Sequence, residues 1–93
     1  MLLLQYRITK QSVRRIYMTK QEFLSELEAM LELEPGSISG SESLSDLAGW
    51  DSMATLSFIA LADSKLGVVL SPAALAICRT IPDLIALVPG KIS

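Results

Sequence analysis

Apolar residues recur every three or four positions after residue 18, the spacing that places them on one face of an α-helix. This stripe comprises Phe23, Leu24, Leu27, Met30 and Leu31. The rest of the helix surface is expected to face solvent and carries Glu26, Glu28, Glu32 and Glu34. Thr19 and Glu22 have the spacing of a capping box, which predicts that the helix begins after Thr19. Pro35 and Gly36 are expected to end it.

A second and more apolar stretch follows Asp51 and predicts a helix from about Ser52 to Leu66. Gly67 suits the left-handed backbone position that ends many helices. The inward stripe of this helix is expected to comprise Leu56, Ile59 and Leu66, with either Ala60 or Ala62.

Two shorter helices are predicted toward the end of the chain. Ser71-Pro72 matches an N-cap followed by proline at the first helical position, which predicts a short helix over residues 73–77. Thr80, with Asp83 three residues later, predicts the start of the last helix, and the Pro-Gly pair at 89–90 is expected to end it. The inner side of this helix is expected to carry Ile81, Leu84, Ile85 and Val88.

The segment between the first two helices, residues 36–49, is rich in Ser and Gly and predicts a long loop. Loops this long in compact domains are usually functional or held by their own side chains. The side chains expected to hold it against the core are Ile38, Leu44, Leu47 and Trp50. These elements together predict an all-α fold: a small four-helix bundle of three main helices and one short helix, with a long loop between helices 1 and 2.

Charge is distributed unevenly along the 93 residues, which is the length of one small domain. Residues 1–17 contain four basic residues and no acid, whereas the remainder contains four basic and ten acidic residues. We expect residues 1–17 to be a disordered basic extension, with contact to an anionic partner as the alternative, and residues 18–93 to form a single domain. An acidic domain argues against nucleic acid as the main partner and suits docking onto basic protein surfaces.

Histidine is absent and the single cysteine, Cys78, is expected to be a small buried filler. The chain therefore lacks the commonest general base and metal ligand, so we expect no catalytic residue and no metal site. Cys78 has no partner for an internal disulfide, which fits a reducing cytoplasm. No run of 18 or more apolar residues is present, so we expect no membrane span.

The stretch most informative about function is residues 49–53, Gly-Trp-Asp-Ser-Met, where the long loop meets the second helix. A phosphate attached to the Ser52 hydroxyl would lie near the positive end of the helix dipole. The simpler interpretation is that Asp51 or Ser52 only caps the helix, since both residue types favour that position.

Asp51-Ser52-Met53 resembles the attachment motif of the acyl carrier protein family, including its peptidyl and aminoacyl relatives. The resemblance continues through the second helix and residues 66–70 (Leu-Gly-Val-Val-Leu) to residues 80–84 (Thr-Ile-Pro-Asp-Leu), which are similar to the start of the family's last helix. It covers roughly residues 19–88, and it implies that residues 18–93 are a carrier domain.

The resemblance implies a non-catalytic phosphoprotein. A separate phosphopantetheinyl transferase, using coenzyme A and magnesium, would attach 4′-phosphopantetheine to Ser52, and the thiol of this arm would carry acyl or aminoacyl groups as thioesters. The transferase would activate the hydroxyl, so the chain needs no base of its own. The implied partners are this transferase, a loading ligase and downstream synthase or transferase enzymes, with the carrier itself a cytoplasmic monomer.

The resemblance also implies roles for other residues. Those assigned to transferase or partner recognition are Asp51, Met53, Phe58, Leu61 and Asp63. A core that could open to shelter an acyl chain would comprise Leu56, Ile59, Leu70, Ile77, Ile81 and Leu84. Fatty-acid carriers have several acids on the second helix, whereas the corresponding positions of this chain, expected to be exposed, include Ala54 and Ser57. Recognition through apolar contacts, and a specialised pathway making a lipid, polyketide, peptide or cell-surface product, are therefore expected.

Two other functions remain to be compared with the carrier. A carrier-like helical adaptor would bind partners without any prosthetic group. A hydrolase with Ser52 as nucleophile would need a histidine and an oxyanion-hole motif, which the sequence lacks.

Overall fold

The computed structural model describes residues 17–93, and within them the chain is helical without strands. The helices are α1 (Lys20–Leu31), α2 (Ser52–Leu61), α3 (Pro72–Ala76) and α4 (Ile81–Ala86). A short 3₁₀ helix (Leu44–Asp46) interrupts the long loop, and a π-helical turn (Ala62–Leu66) extends α2. The all-α prediction is confirmed. The basic extension predicted for residues 1–17 lies, apart from Tyr17, outside the described residues.

The helices begin where the sequence predicts them, because their N-cap side chains satisfy free backbone N–H groups. In the capping box of α1, the Glu22 amide donates to Thr19 Oγ1 (3.1 Å) and the Thr19 amide donates to Glu22 Oε1 (2.9 Å). Thr80 and Asp83 form the second capping box, at the start of α4. Ser71 accepts from the Ala74 amide at 3.2 Å and so caps α3.

Two helices end earlier than the prolines predict. α1 ends at Leu31, with Glu32 in the left-handed conformation (φ 58°), and the Leu33 amide donates to the Glu28 carbonyl at 2.8 Å. This bond pattern closes a helix without glycine or proline. α4 ends at Ala86, and tight turns carry the chain on to residues 89–90. α2 and its π-helical turn do end at Gly67 as predicted, with φ 68°.

An edge-to-face contact between two phenylalanines joins α1 to α2 at the centre of the core. The rings of Phe23 and Phe58 lie 5.9 Å apart at 89°, and both side chains are fully buried. The largest fully buried side chains are Phe23, Phe58, Leu27, Leu66, Ile81, Leu84 and Val88. The predicted inner residues of α1 and α4 are thus mostly confirmed.

The inner face of α2 differs from the prediction. The buried positions of α2 and its π-helical turn are Ala54, Phe58, Ala62 and Leu66. Leu56, predicted to point inward, is 56% exposed. It lies two residues from Ala54, about 200° around the helix, and therefore on the opposite side. Because α2 has apolar residues on every side, its pattern does not indicate which side turns inward.

The long loop is held against the core by the side chains that the sequence predicts. Ile38, Leu44 and Leu47 are buried, and Trp50 is half-buried. Two backbone hydrogen bonds also join the loop to the start of α4: the Leu44 amide donates to the Arg79 carbonyl (2.8 Å), and the Ile81 amide to the Glu42 carbonyl (3.1 Å). The loop therefore has a fixed course.

Two carboxylates also hold this loop by accepting from its backbone. Glu28, expected to face solvent, is only 5% exposed, and its Oε2 accepts from the Ile38 amide at 3.1 Å. Burial of the Ile38 side chain takes its amide out of water, and the amide then needs an acceptor. Glu42 accepts from the amides of Ser39 (2.7 Å) and Gly40 (2.9 Å), and these bonds, the Ser39 bond first, lower the pKa of Glu42.

The two ends of the described chain meet at the start of α1. The Met18 amide donates to the Lys91 carbonyl (2.9 Å), the Ser93 amide to the Met18 carbonyl (3.1 Å), and the Lys20 amide to the Ser93 carbonyl (3.0 Å). At the other end of α1, Gly49 lies beside the Leu31 carbonyl and leads into α2. The chain ends and the start of α2 are therefore at opposite ends of α1. No helix in residues 17–93 is long and apolar enough to cross a membrane.

We predict that Glu28→Ala lowers the free energy of unfolding by about 1–3 kcal/mol, since it leaves the Ile38 amide without its acceptor. Glu28→Gln keeps an acceptor oxygen at nearly the same volume and should lose much less. Urea denaturation of both variants measures the difference. Equal losses for Ala and Gln would show that the hydrogen bond is not what stabilises the loop.

Candidate functional site

Asp51 is the N-cap of α2. Its backbone is extended (φ −141°, ψ −168°), its Oδ1 accepts from the Ala54 amide at 2.9 Å, and its carbonyl accepts from the Thr55 amide at 3.0 Å. The simpler interpretation of the Asp-Ser pair is thus confirmed for Asp51. It does not extend to Ser52, which is the first residue inside the helix.

Ser52 lies at the N-terminal end of α2 with its side chain exposed. The amides of the first helical turn have no partners within the helix, apart from the Ala54 amide that Asp51 caps, so this end carries partial positive charge. A negatively charged phosphodiester on the Ser52 oxygen would be stabilised there, and an exposed position leaves the hydroxyl open to another protein. The site therefore fits a group attached through phosphate.

Trp50 anchors the loop immediately before this pair. Its indole packs edge-on against Phe58, with ring centroids 6.4 Å apart at 62°, and its amide donates to the Leu47 carbonyl at 3.2 Å. Phe58 in turn contacts Phe23 of α1. A row of three aromatic rings thus connects the residue before Asp51 to the centre of the core.

The residues predicted for partner recognition lie in different environments. Met53 is 69% exposed and directly follows Ser52, Asp63 is exposed in the π-helical turn, and Leu61 is half-buried. Phe58 is fully buried, so the surface position expected for it is wrong. It lies four residues after Ala54, one helical turn along the inner face of α2.

The six residues predicted to form an acyl-sheltering core do not all lie in the core. Ile81 and Leu84 are fully buried, and Ile59 and Leu70 are half-buried against the core cluster. Leu56 and Ile77 are 56% and 76% exposed, so their predicted burial is wrong. Ile77 is the C-cap of α3, where Leu75 is the buried residue.

The exposed side chains of Leu56 and Ile77 lie on or next to α2 and α3, two helices that pack together. We define the apolar surface as Met53, Leu56 and Ile77, all more than half exposed. Met53 and Leu56 are three residues apart and therefore neighbours on one side of α2, and Ile77 caps α3, which packs against α2. No residue from Ser52 to Leu61 is charged, and the first charge along the helix is Asp63.

Other reactive groups in residues 17–93 lie outside this site. Cys78 is half-buried and its Sγ donates to the Ala74 carbonyl at 3.5 Å. Burial, and secondarily the charge of Asp83, raises the pKa of the Cys78 thiol. The Arg79 amide, followed by that of Thr80, donates to Asp83 and lowers its pKa. No group of three or more metal-ligating side chains occurs in this part of the chain.

Comparison with known proteins identifies the family of the chain. The family model described as the phosphopantetheine attachment site matches residues 21–88, which include α1 from its second residue, the loop, Ser52 and all of α2 to α4. No curated protein and no solved structure matched the chain. The family match covers well over half of the 93 residues and implies a covalently attached 4′-phosphopantetheine. The chain therefore belongs to the family of phosphopantetheine-binding carrier domains.

Proposed function

We propose that this chain carries acyl or aminoacyl groups on a 4′-phosphopantetheine arm attached to Ser52. The observation that carries this assignment is the exposed Ser52 hydroxyl at the start of α2, inside the segment matched by the phosphopantetheine family. When bound, the arm supplies a terminal thiol that holds the cargo as a thioester.

Attachment requires Ser52 to act as a nucleophile toward coenzyme A. The Ser52 oxygen forms a bond to the phosphorus of the pantetheine phosphate, the pyrophosphate bond of coenzyme A breaks, and adenosine 3′,5′-bisphosphate leaves. The serine proton passes to a base that the transferase supplies, since the chain contains no histidine and Asp51 serves as the cap of α2. The N-terminal end of α2 then stabilises the negative charge of the phosphodiester.

The apolar surface is the part of the carrier that we propose its partner enzymes contact. It borders Ser52, so an enzyme receiving the arm would cover Met53 and Leu56 at the same time. Exposed apolar groups beside a functional residue are typical of protein interaction sites. The lack of charge from Ser52 to Leu61 favours partners with apolar rather than strongly basic surfaces.

We propose a specialised biosynthetic pathway in the cytoplasm, with a phosphopantetheinyl transferase, a loading ligase and a downstream synthase as partners of a monomeric carrier. Of the residues considered for sheltering an acyl chain, we retain Ile59, Leu70, Ile81 and Leu84, which lie in or against the core.

A protein-binding adaptor without a prosthetic group is the second candidate function. The exposed apolar surface supports it, since such a surface would serve an adaptor equally well. The two functions differ in whether Ser52 is required.

We predict that incubation with coenzyme A, magnesium and a broad-specificity phosphopantetheinyl transferase adds one phosphopantetheine mass to the wild-type protein, and none to Ser52→Ala. Intact mass spectrometry measures the addition. Ser57→Ala, which changes another exposed serine of α2, is the matched control and should be modified normally. If the wild type remains unmodified by several transferases, or Ser52→Ala retains the biological activity, the adaptor function is favoured.

We predict that Asp51→Ala lowers the free energy of unfolding by about 0.5–2 kcal/mol and slows arm addition, because the first turn of α2 loses its cap. Asp51→Asn keeps a capping oxygen and should retain both stability and rate. Thermal unfolding and the rate of mass addition test this. A stable but slowly modified Asn variant would instead mean that the transferase recognises the charge of Asp51.

We predict that Leu56→Glu lowers kcat/KM for arm addition about tenfold, because a charge is placed where an apolar partner surface should pack. Ser64→Glu, at an exposed position of the π-helical turn, is the matched control and should have little effect. Added salt should change the wild-type rate only slightly, since few charge pairs are screened. Equal effects of both glutamates, or strong inhibition by salt, would contradict apolar docking.

A further inference from the structure

The aromatic row Trp50–Phe58–Phe23 connects the attachment site to the core. Trp50 precedes the N-cap Asp51 by one residue, yet its ring contacts Phe58, which lies six residues beyond Ser52 on the inner face of α2. An apolar residue before the N-cap that packs against its own helix fixes the angle at which the chain approaches that helix. In this chain the apolar residue is Trp50, and Asp51 and Ser52 follow it directly.

From these contacts we propose that Trp50 is a positioning residue for arm attachment: its packing on Phe58 holds Asp51 and Ser52 in the conformation that the transferase binds. This inference rests on the proposed function, since it concerns how the same serine is presented. It adds a role for a residue that precedes the serine by two positions and is not itself modified.

Three observations support a role in orientation as well as in core packing. Trp50 is half-buried while Phe23 and Phe58 are fully buried, so its ring covers the edge of the core without filling its centre. Its amide donates to the Leu47 carbonyl, which closes the turn just before the site. On the other side, the Asp51 carboxylate is bonded to the Ala54 amide. The backbone of Trp50 and Asp51, which these hydrogen bonds hold on both sides, therefore has little conformational freedom.

Loss of the ring contact should lower the fraction of molecules in the binding-competent conformation. Apparent affinity falls in proportion to that fraction, whereas the rate of the bound complex does not. An edge-to-face aromatic pair is strong enough to change such an equilibrium by up to about tenfold. The expected result for Trp50→Ala is therefore a KM for the carrier raised about five- to tenfold with kcat nearly unchanged.

The experiment compares arm-addition kinetics for the wild type, Trp50→Ala, Trp50→Phe and Ile38→Val. Trp50→Phe keeps a ring against Phe58 and should restore the wild-type KM. Ile38→Val is a mild destabilisation of another buried side chain of the same loop and should lower the melting temperature without raising KM. If Trp50→Ala fails to fold by circular dichroism, Trp50→Leu removes the ring contact while keeping apolar bulk and takes its place.

A second measurement does not depend on the arm. Hydrogen exchange of the Ala54 amide reports the capping bond that this amide donates to Asp51, and it should be faster in Trp50→Ala but not in Ile38→Val. Unchanged Ala54 exchange, a wild-type KM for Trp50→Ala, a KM raised equally by Ile38→Val, or no rescue by Trp50→Phe would each overturn the proposal. A wild-type protein that accepts no arm would instead overturn the proposed function, and the exchange measurement would still test the role of Trp50.

Discussion

The edge-on contact between Phe23 and Phe58 determines how α2 is rotated relative to α1, and the exposure of the candidate site depends on that rotation. With Phe58 turned inward, Ala54 and Ala62 follow it into the core at helical spacing. Met53 and Leu56 are then necessarily on the outside, beside Ser52. Phe58 therefore lies at the centre of the core, and its orientation places apolar side chains on the surface next to the serine.

The sequence predicts the parts of this fold that depend on local chemistry. The side chains of Thr19, Ser71 and Thr80 cap the three helices that follow them, as their residue types predict, and Gly67 ends the extended α2. The position of Ser52 at a helix start was equally predictable, because a loop-forming segment meets an apolar one there. Each of these features is determined by residues only a few positions apart.

The features that could not be predicted depend on contacts between distant segments. The orientation of α2 is one such feature. Its apolar residues leave no polar side to face water, so packing of Phe58 against Phe23 determines which side of α2 is buried. Glu28 is another, because its burial depends on the course of a loop ten residues later. The early end of α1 at Glu32 was missed because a non-glycine residue in the left-handed conformation has no strong sequence signal.

Half of the acidic residues in this protein bind its own backbone. Five of the ten acids in the chain accept hydrogen bonds from backbone amides of helix starts or of the long loop: Glu22, Glu28, Glu42, Asp51 and Asp83. These bonds leave the carboxylates negatively charged, and the amide donors lower the pKa of Glu42 and of Asp83. The absence of charge beside the proposed attachment serine is instead a property of residues 52–61 themselves, none of which is charged.

The meeting of residues 18–20 with residues 91–93 has a consequence for how the domain can be joined to something else. Both segments lie at the start of α1, whose twelve residues separate them from the Gly49 end by about 18 Å. A chain joined at Tyr17 or at Ser93 therefore leaves the domain at the pole remote from Ser52. A fusion made at either point begins away from the serine and leaves the arm room to swing into a second protein.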